Sequence, residues 1–168
     1  AWLVGMIEGN GWFSISKKGK YLTYEFGIEL AVKDVQLIYK IKNILGIGTV
    51  LFRNTEGRSN TVILRVRNKT HLKDLILPIF DKYPLLTEKK RNTYLNFRNT
   101  LLHKVLNSKH ATIQDKNFSE NFLKNTPENL YEKPIKDLLL NLNSDYFDNW
   151  LVGFTEAEGS FYFIKDSK

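Results

Sequence analysis

Two short stretches of the chain end in residues that can offer oxygen ligands to a cation. One stretch runs from Trp2 to Asn10 and the other from Trp150 to Glu158, and both are largely apolar before their last residues. If both are helices, Asn10 and Glu158 lie at helix C-termini, where the negative end of the macrodipole favours a bound cation. The amide of Asn10 contributes no charge, whereas the carboxylate of Glu158 does.

The two stretches are copies of one motif. The first reads WLVGMIEGNGWF and the second WLVGFTEAEGSF, and Gly5 and Gly153 are 148 positions apart (153 − 5). A period of this length is typical of two duplicated domains and is too long for a solenoid repeat. Two unrelated core helices are the alternative, and the shared W-L-V-G-x-x-E-x-x-G-x-F pattern speaks against it.

Small residues predict that the two motif helices pack closely. Gly5 and Gly9 are four positions apart, as are Gly153 and Ala157, so each pair lies on one helical face. Glycine inside a helix costs about 0.5–1 kcal/mol relative to alanine. Close approach of two backbones compensates for that cost, so these four residues are the predicted interface of the helix pair.

The repeated motif resembles the LAGLIDADG motif of homing endonucleases and intron maturases, in segments 3–11 and 151–159. In that family two such helices pack side by side at the centre of a saddle, and their last acidic residues hold divalent metal over two scissile phosphates. The resemblance implies that Glu158 with the Ala157 carbonyl, and Asn10 with the Gly9 carbonyl, are the metal ligands. Hard oxygen ligands suit Mg²⁺, with Ca²⁺ or Mn²⁺ as alternatives.

Asn10 departs from the family pattern, which has Asp or Glu at this position. We hypothesise that metal occupancy at the first site is weakened and that cleavage of one strand is impaired. The chain would then be a nickase, a maturase that has lost cleavage, or a variant disabled to capture a complex. Replacing Asn10 with Asp or Glu should increase double-strand cutting. Glu8 and Glu156 are poor substitutes, because two positions along a helix is a rotation of about 200°.

A second segment of the family is matched by residues 83–89, which read YPLLTEK. It is similar to the family's Y-P-L-L-T-x-K stretch, whose lysine reaches the active site. The resemblance therefore implies a catalytic set of Glu158, Asn10 and Lys89, with Lys89 stabilising phosphate charge or orienting water. Lysine is unfavourable beside a helix N-terminus, and a bound anion would compensate for this. The alternative is that Lys89 belongs to a solvated first turn.

Hydrophobic periodicity predicts the elements that position these residues. Their order is α-ββ-α-ββ-α-α, which is an α+β arrangement of helices against one antiparallel sheet. This is the order of the LAGLIDADG (αββαββα) saddle domain, whose sheet is concave. The predicted segments are a helix over 1–9, strands over 12–18 and 21–32, a helix over 33–45, strands over 49–53 and 61–67, a helix over 72–80 disturbed by Pro78, and a helix over 87–104.

We assign residues 1–105 to a first LAGLIDADG repeat, 106–144 to a linker and 145–168 to the start of a second, incomplete repeat. Short helices are predicted over 115–124 and 133–141, the second motif helix over 146–158, and a strand over 161–164. A complete saddle needs a second sheet. We expect it from the rest of the same protein or from another chain.

The polar face of the sheet is predicted to contact double-stranded DNA, since a β-ribbon can read base edges in the major groove. Arg65 and Arg67 are the strongest candidates, because arginine pairs well with guanine and phosphate. Solvent exposure without contact is the alternative for each residue. The predicted DNA-binding set is Trp12, Ser14, Ser16, Lys18, Lys20, Thr23, Glu25, Glu29, Thr61, Ile63, Arg65 and Arg67, and the register leaves Phe52, Asn54 and Arg58 open.

The amino-acid composition limits the classes of molecule that the chain is expected to bind. The 168 residues include 25 Lys and Arg against 18 Asp and Glu, a net charge of +7, which favours a polyanion without separating DNA from RNA or an acidic membrane. No apolar run is long enough to span a membrane. The absence of cysteine excludes disulfides and thiolate metal sites. Abundant Lys and Asn, which AT-rich codons specify, suit a fungal mitochondrial protein.

Three functions follow from these observations. The first is a site-specific, intron-encoded DNA endonuclease, which Glu158 and Lys89 favour. The second is a maturase that binds intron RNA, and the third is a DNA-binding module without catalysis, both of which the neutral Asn10 favours. The fold cannot separate them, because function depends on the site.

Overall fold

The computed structural model describes residues 1–54, 56–131 and 144–160, and its strands form one antiparallel sheet of four. The strands are paired in the order β1-β2-β4-β3. The predicted α+β class with an antiparallel sheet is confirmed. The strands are β1 (Gly11–Lys18), β2 (Tyr21–Ala31), β3 (Thr49–Arg53) and β4 (Thr61–Val66).

The helices follow the predicted order, with ends displaced by a few residues. None of those in the described ranges is long and apolar enough to cross a bilayer. The helices are α1 (Trp2–Asn10), α2 (Val35–Leu45), α3 (Lys69–His71), α4 (Leu77–Lys82), α5 (Glu88–Leu106), α6 (Ile113–Lys124) and α7 (Ser144–Glu158), with 3₁₀ turns at Val32–Asp34 and Glu128–Leu130.

The core lies between one face of the sheet and the helices. Alternation in β2 buries Tyr24, Phe26, Ile28 and Leu30, as its pattern predicts. Aromatic rings from β1, α4 and α5 meet at Phe13, whose ring centroid is 5.0 Å from those of Phe80 and Tyr94 and 5.5 Å from that of Phe97. The opposite face of the sheet is left for polar side chains.

The helix predicted over 72–80 begins earlier and has an irregular centre. A π-helical segment, Leu72–Ile76, joins α3 to α4, and Pro78 follows directly in the first turn of α4. Proline has no N–H to donate, so regular helical bonding cannot continue through this position. The wider π turn, in which the Leu77 N–H donates to the Leu72 carbonyl, accommodates that gap.

The described part of the predicted linker is packed against the first repeat. Helix α6 begins at Ile113, two residues before the predicted start, because the Thr112 side chain accepts a hydrogen bond from the Asp115 N–H and caps it. The buried Arg98 of α5 donates to the Asp81 carboxylate at 2.8–2.9 Å and to the Phe122 carbonyl at 2.8 Å. The predicted helix over 133–141 and strand over 161–164 lie outside the described residues.

Candidate active site

The two motif helices, α1 and α7, pack backbone against backbone. A Cβ atom added to Gly5 would lie 2.1 Å from the Trp150 carbonyl oxygen, and one added to Gly153 would lie 2.0 Å from the Trp2 carbonyl oxygen. These two contacts are equivalent under the 148-residue period of the motif, since 5 and 153, and 2 and 150, differ by the same amount. The helix pair is therefore internally two-fold, and neither glycine leaves room for a side chain.

A reciprocal pair of tryptophan–glutamate hydrogen bonds joins the same helices. The indole N–H of Trp2 donates to Glu156 at 2.5 Å, and that of Trp150 donates to Glu8. From the sequence, Glu8 and Glu156 were considered only as substitute metal ligands. The signal that identifies them is the equal Trp-to-Glu spacing in both copies of the motif.

The surroundings of the two glutamates differ, and Glu8 has further partners. Glu8 is 6% exposed and accepts hydrogen bonds from the Leu86 N–H at 2.9 Å, and from the Thr87 N–H and hydroxyl at 2.6 Å each. Thr87 stands at the N-cap of α5, but its side chain does not cap the helix, because its hydroxyl donates to Glu8. Glu8 therefore fixes the start of α5 against both motif helices.

Replacing Glu8 with alanine is expected to lower the free energy of unfolding by about 3–5 kcal/mol. The buried N–H groups of Leu86 and Trp150 and the partly buried N–H of Thr87 would lose their acceptor, and each unsatisfied buried donor costs about 1–3 kcal/mol. Denaturant unfolding of the full protein measures the loss. The matched control is Glu156→Ala, which removes the exposed copy of the same indole bond and should cost about 0.5 kcal/mol. Equal losses in the two variants would contradict the assignment.

A cleft of about 390 Å³ opens beside the ends of the motif helices. It brings together Glu158, Lys89 and Trp12, three of the predicted site residues, from three separate elements. The cleft is lined by Glu8, Trp12, Phe13, Thr87, Lys89, Lys90, Thr93, Phe154 and Glu158.

The four residues predicted to hold metal meet at one end of the helix pair. The Asn10 side-chain N–H donates to the Ala157 carbonyl at 2.7 Å. A Cβ on Gly9 would lie 2.9 Å from Cγ of Glu158, so the Glu158 side chain lies against the bare backbone of the opposite helix. One carboxylate with carbonyl and amide oxygens is a hard donor set that fits Mg²⁺ or Ca²⁺.

Residues 1–54, 56–131 and 144–160 contain no cluster of three or more His, Cys, Asp or Glu side chains arranged to hold a metal. A cation at the end of the helix pair would therefore depend on Glu158, on main-chain oxygens and on ligands from outside the protein. Phosphate oxygens are ligands of this kind, and Mg²⁺ commonly combines them with one or two carboxylates.

Lys90, to which the sequence analysis assigns no function, also reaches this region. Its ammonium donates to the carbonyl of Gly11, the residue after Asn10, at 2.5 Å. Burial lowers the pKa of Lys90, while the nearby carboxylates of Glu8 and Glu158 act in the opposite direction. No periodic or motif signal identifies this contact, since it joins residues 79 positions apart.

The polar face of the sheet is organised by two glutamates. Glu25 accepts from the Trp12 indole at 3.0 Å and from Arg67 at 2.5 Å, with Arg65 at 3.9 Å. Each arginine is thereby held in a defined place on the face predicted to meet DNA.

The second glutamate on this face, Glu29, pairs with Arg53 at 3.3 Å and accepts from the Thr61 hydroxyl at 2.5 Å. The sequence missed Arg53, because the register of β3 is fixed only by its pairing with β4. Arg53 joins Arg65 and Arg67 as an arginine on the polar face.

The structure corrects the assignment of Ile63 and gives the register of Phe52, which the sequence leaves open. Ile63 was predicted to contact DNA but is 3% exposed, because it lies in central strand β4 between Glu29 of β2 and Leu51 of β3. Phe52 pairs with the fully buried Val62 and so lies on the helix side of the sheet. The remaining candidates are exposed or partly exposed: Trp12, Ser14, Ser16, Lys18, Lys20, Thr23, Glu25, Glu29, Thr61, Arg65 and Arg67.

The sequence of the chain is similar to that of known proteins. Residues 3–101 match the family model of the LAGLIDADG endonucleases. The chain is 36% identical to a probable intron-encoded endonuclease, Cox1-I1b, of Schizosaccharomyces pombe, over 99% of this chain and 42% of the relative. It is 32% identical to an uncharacterized mitochondrial protein, RF1, of Saccharomyces cerevisiae, over 95% of this chain and 31% of the relative.

The fold of the chain is also similar to that of solved structures. I-SmaMI bound to an uncleaved DNA target in the presence of calcium ions superposes with a TM-score of 0.62 at 27% identity, covering 97% of this chain and 59% of that chain. The chain thus spans less than two thirds of the length of these relatives.

Proposed function

Since the chain belongs to the LAGLIDADG endonuclease family, we propose that it forms part of a site-specific endonuclease that hydrolyses double-stranded DNA with a divalent cation. The observation that carries the proposal is the cleft beside the paired motif helices, which Glu8 of α1, Glu158 of α7 and Lys89 of α5 line together. A DNA-bound solved relative and the relatives' names support it. The mitochondrial relative from yeast supports a mitochondrial, organelle-encoded origin.

The residues that line the cleft and those at the adjacent ends of α1 and α7 have different roles. Glu158, the Ala157 and Gly9 carbonyls and the Asn10 side-chain oxygen would hold the cation. When bound, the cation supplies an activated water and stabilises charge on the phosphate. Lys89, exposed at the rim of the cleft, stabilises the negative charge of the phosphate, and Glu8 keeps α5 in place so that Lys89 points to the cleft.

We further propose that the two DNA strands are cut at unequal rates. Asn10 is neutral, and its amide N–H is bonded to the Ala157 carbonyl, so the first motif offers a cation less charge than the second. The protein should therefore cut one strand quickly and the other slowly or not at all.

A plasmid assay tests both proposals. The full-length protein is incubated with Mg²⁺ and a supercoiled plasmid that carries the exon junction flanking its intron, and EDTA serves as the metal-free control. We expect open-circular DNA to accumulate before linear DNA appears. Linear product without an open-circular intermediate would contradict the unequal sites. Tight binding of the junction with no cleavage would favour the DNA-binding module over the nuclease.

The second candidate function is intron RNA binding by a maturase. It is favoured by a second cleft of about 280 Å³, lined by residues that include Lys69, Lys73, Lys104 and His110. Asp115 lines the same cleft and pairs with Lys73 at 3.1 Å, so Lys69 and Lys104 supply its net positive charge. Charge in this cleft is not needed to contact DNA through the sheet. Tighter binding of the host intron RNA than of the DNA junction, weakened by Lys104→Glu, would support this function.

We propose that a second sheet covers the outer face of α7. Val4 of the first motif is 1% exposed beneath the sheet of its own repeat, whereas its equivalent Val152 is 53% exposed. Leu151 beside it is 44% exposed. This supports the division into a first repeat (1–105), a linker (106–144) and the start of a second repeat (145–168), completed by the rest of a longer protein or by another chain.

A further inference from the structure

The ends of the two motif helices carry opposite charge. At the end of α7, Glu158 presents an exposed carboxylate. At the equivalent end of α1 stand the neutral Asn10 and the ammonium of Lys90, which donates to the Gly11 carbonyl at 2.5 Å. The two ends of the helix pair are therefore not equivalent in charge, although the helices themselves are related by an internal two-fold axis.

Two hydrogen-bond donors lie at the α1 end, where carbonyl oxygens and the helix dipole favour a cation. Lys90 donates to Gly11, and the Asn10 amide donates to the Ala157 carbonyl. A lysine ammonium is a compact unit charge with three donors. It can occupy the same kind of oxygen-lined position as a metal ion, and it is covalently attached to α5.

We propose that the Lys90 ammonium takes the place of a divalent cation at the first motif. This inference rests on the proposed nuclease function. The cleft would then hold a divalent cation at Glu158 and a fixed ammonium at the other helix end. The ammonium attracts a phosphate as a metal ion does, but it does not bind a water as a ligand and so cannot generate hydroxide at neutral pH. DNA binding is retained at both ends, whereas hydrolysis is confined to the Glu158 end.

An ammonium in this place changes the result expected when an acidic residue is introduced at position 10. From sequence, Asn10→Asp alone should be enough to recover the first site. The Lys90 ammonium binds the carbonyl of Gly11, the residue after Asn10. A carboxylate introduced at position 10 should therefore pair with this ammonium, which leaves no net charge for a metal ion. Recovery should require Asn10→Asp together with Lys90→Met, which removes the charge and keeps an unbranched apolar stem.

Counting bound ions tests the inference without reference to activity. Mn²⁺ binding is measured by electron paramagnetic resonance on the full-length protein in complex with one target DNA, so that ions bound by the DNA alone cancel between variants. We expect the native protein and Asn10→Asp to bind a single Mn²⁺ that Glu158→Gln removes. The double variant Asn10→Asp/Lys90→Met should gain a second ion and cut both strands.

The charge-retaining variant Asn10→Asp/Lys90→Arg is the matched control, and it should not gain an ion. If Lys90 only anchors α5 to Gly11, Lys90→Met would lower stability and leave the ion count of the Asn10→Asp protein unchanged. A second ion with Asn10→Asp alone, or none in a folded double variant, would overturn the inference. If no Mn²⁺ in the native complex depends on Glu158, the proposed nuclease function itself fails.

Discussion

Replacing Glu158 with glutamine is expected to lower the rate of DNA cleavage by about 10³-fold or more while leaving DNA binding nearly unchanged. Glutamine keeps the size and the oxygen of the side chain but removes the negative charge at the end of α7. Metal-assisted stabilisation of the transition state is worth several kcal/mol, and each 1.36 kcal/mol is a factor of ten in rate. The polar face of the sheet, which is predicted to contact DNA, is untouched by this change.

Single-turnover cleavage of the target, compared with a gel-shift measurement of binding, checks this prediction. Glu156→Gln is the matched control, because Glu156 is also exposed, lies two residues earlier on the same helix and has its carboxylate bonded to Trp2. The control should cleave at close to the native rate. A Glu158→Gln protein that cleaves as fast as the native protein would show that the cleft does not use this carboxylate.

Replacing Gly5 with alanine is expected to lower the free energy of unfolding by about 3 kcal/mol or more. The added Cβ would lie 2.1 Å from the Trp150 carbonyl oxygen and 2.7 Å from the Phe154 nitrogen, both of them backbone atoms that cannot move aside singly. The helices would have to separate, and overpacking of this kind costs about 1–3 kcal/mol or more. Separation would also pull Glu158 away from Gly9 and weaken metal binding.

Chemical denaturation of the full protein measures this loss, with Gly19→Ala as the control. Gly19 has a positive φ of 59°, but a Cβ there would have no heavy atom within 4 Å. Its substitution should cost about 1–2 kcal/mol from backbone strain alone. If Gly5→Ala proves no more costly than Gly19→Ala, the two motif helices do not pack as described.

The sequence predicts the fold well because its signals are local. Alternation separates the two faces of β2, apolar spacing identifies the amphipathic α2, and Pro78 marks the disturbed helix. The pairing of the motif helices is predictable for a different reason. A glycine inside a helix is unfavourable unless a backbone approaches it, and the repeat places Gly5 and Gly153 at equivalent positions.

The parts of the site that the sequence misses depend on contacts between distant segments. Glu8 is bonded to Thr87, and Lys90 to Gly11, across 79 positions of chain in each case, with no periodicity to indicate it. The burial of Ile63 follows from strand order, since alternation gives the side of the sheet but not how many strands flank a residue. Arg53 was missed because the register of β3 comes from its partner strand.

We propose that the paired motif helices hold a cation at Glu158 for cutting DNA. Anomalous diffraction from crystals of the full-length protein with its target DNA and Mn²⁺ tests it directly. We predict a Mn²⁺ peak coordinated by the Glu158 carboxylate and a scissile phosphate, at the end of α7. A Mn²⁺ ion held elsewhere, with Glu158 turned away from the DNA, would contradict the account.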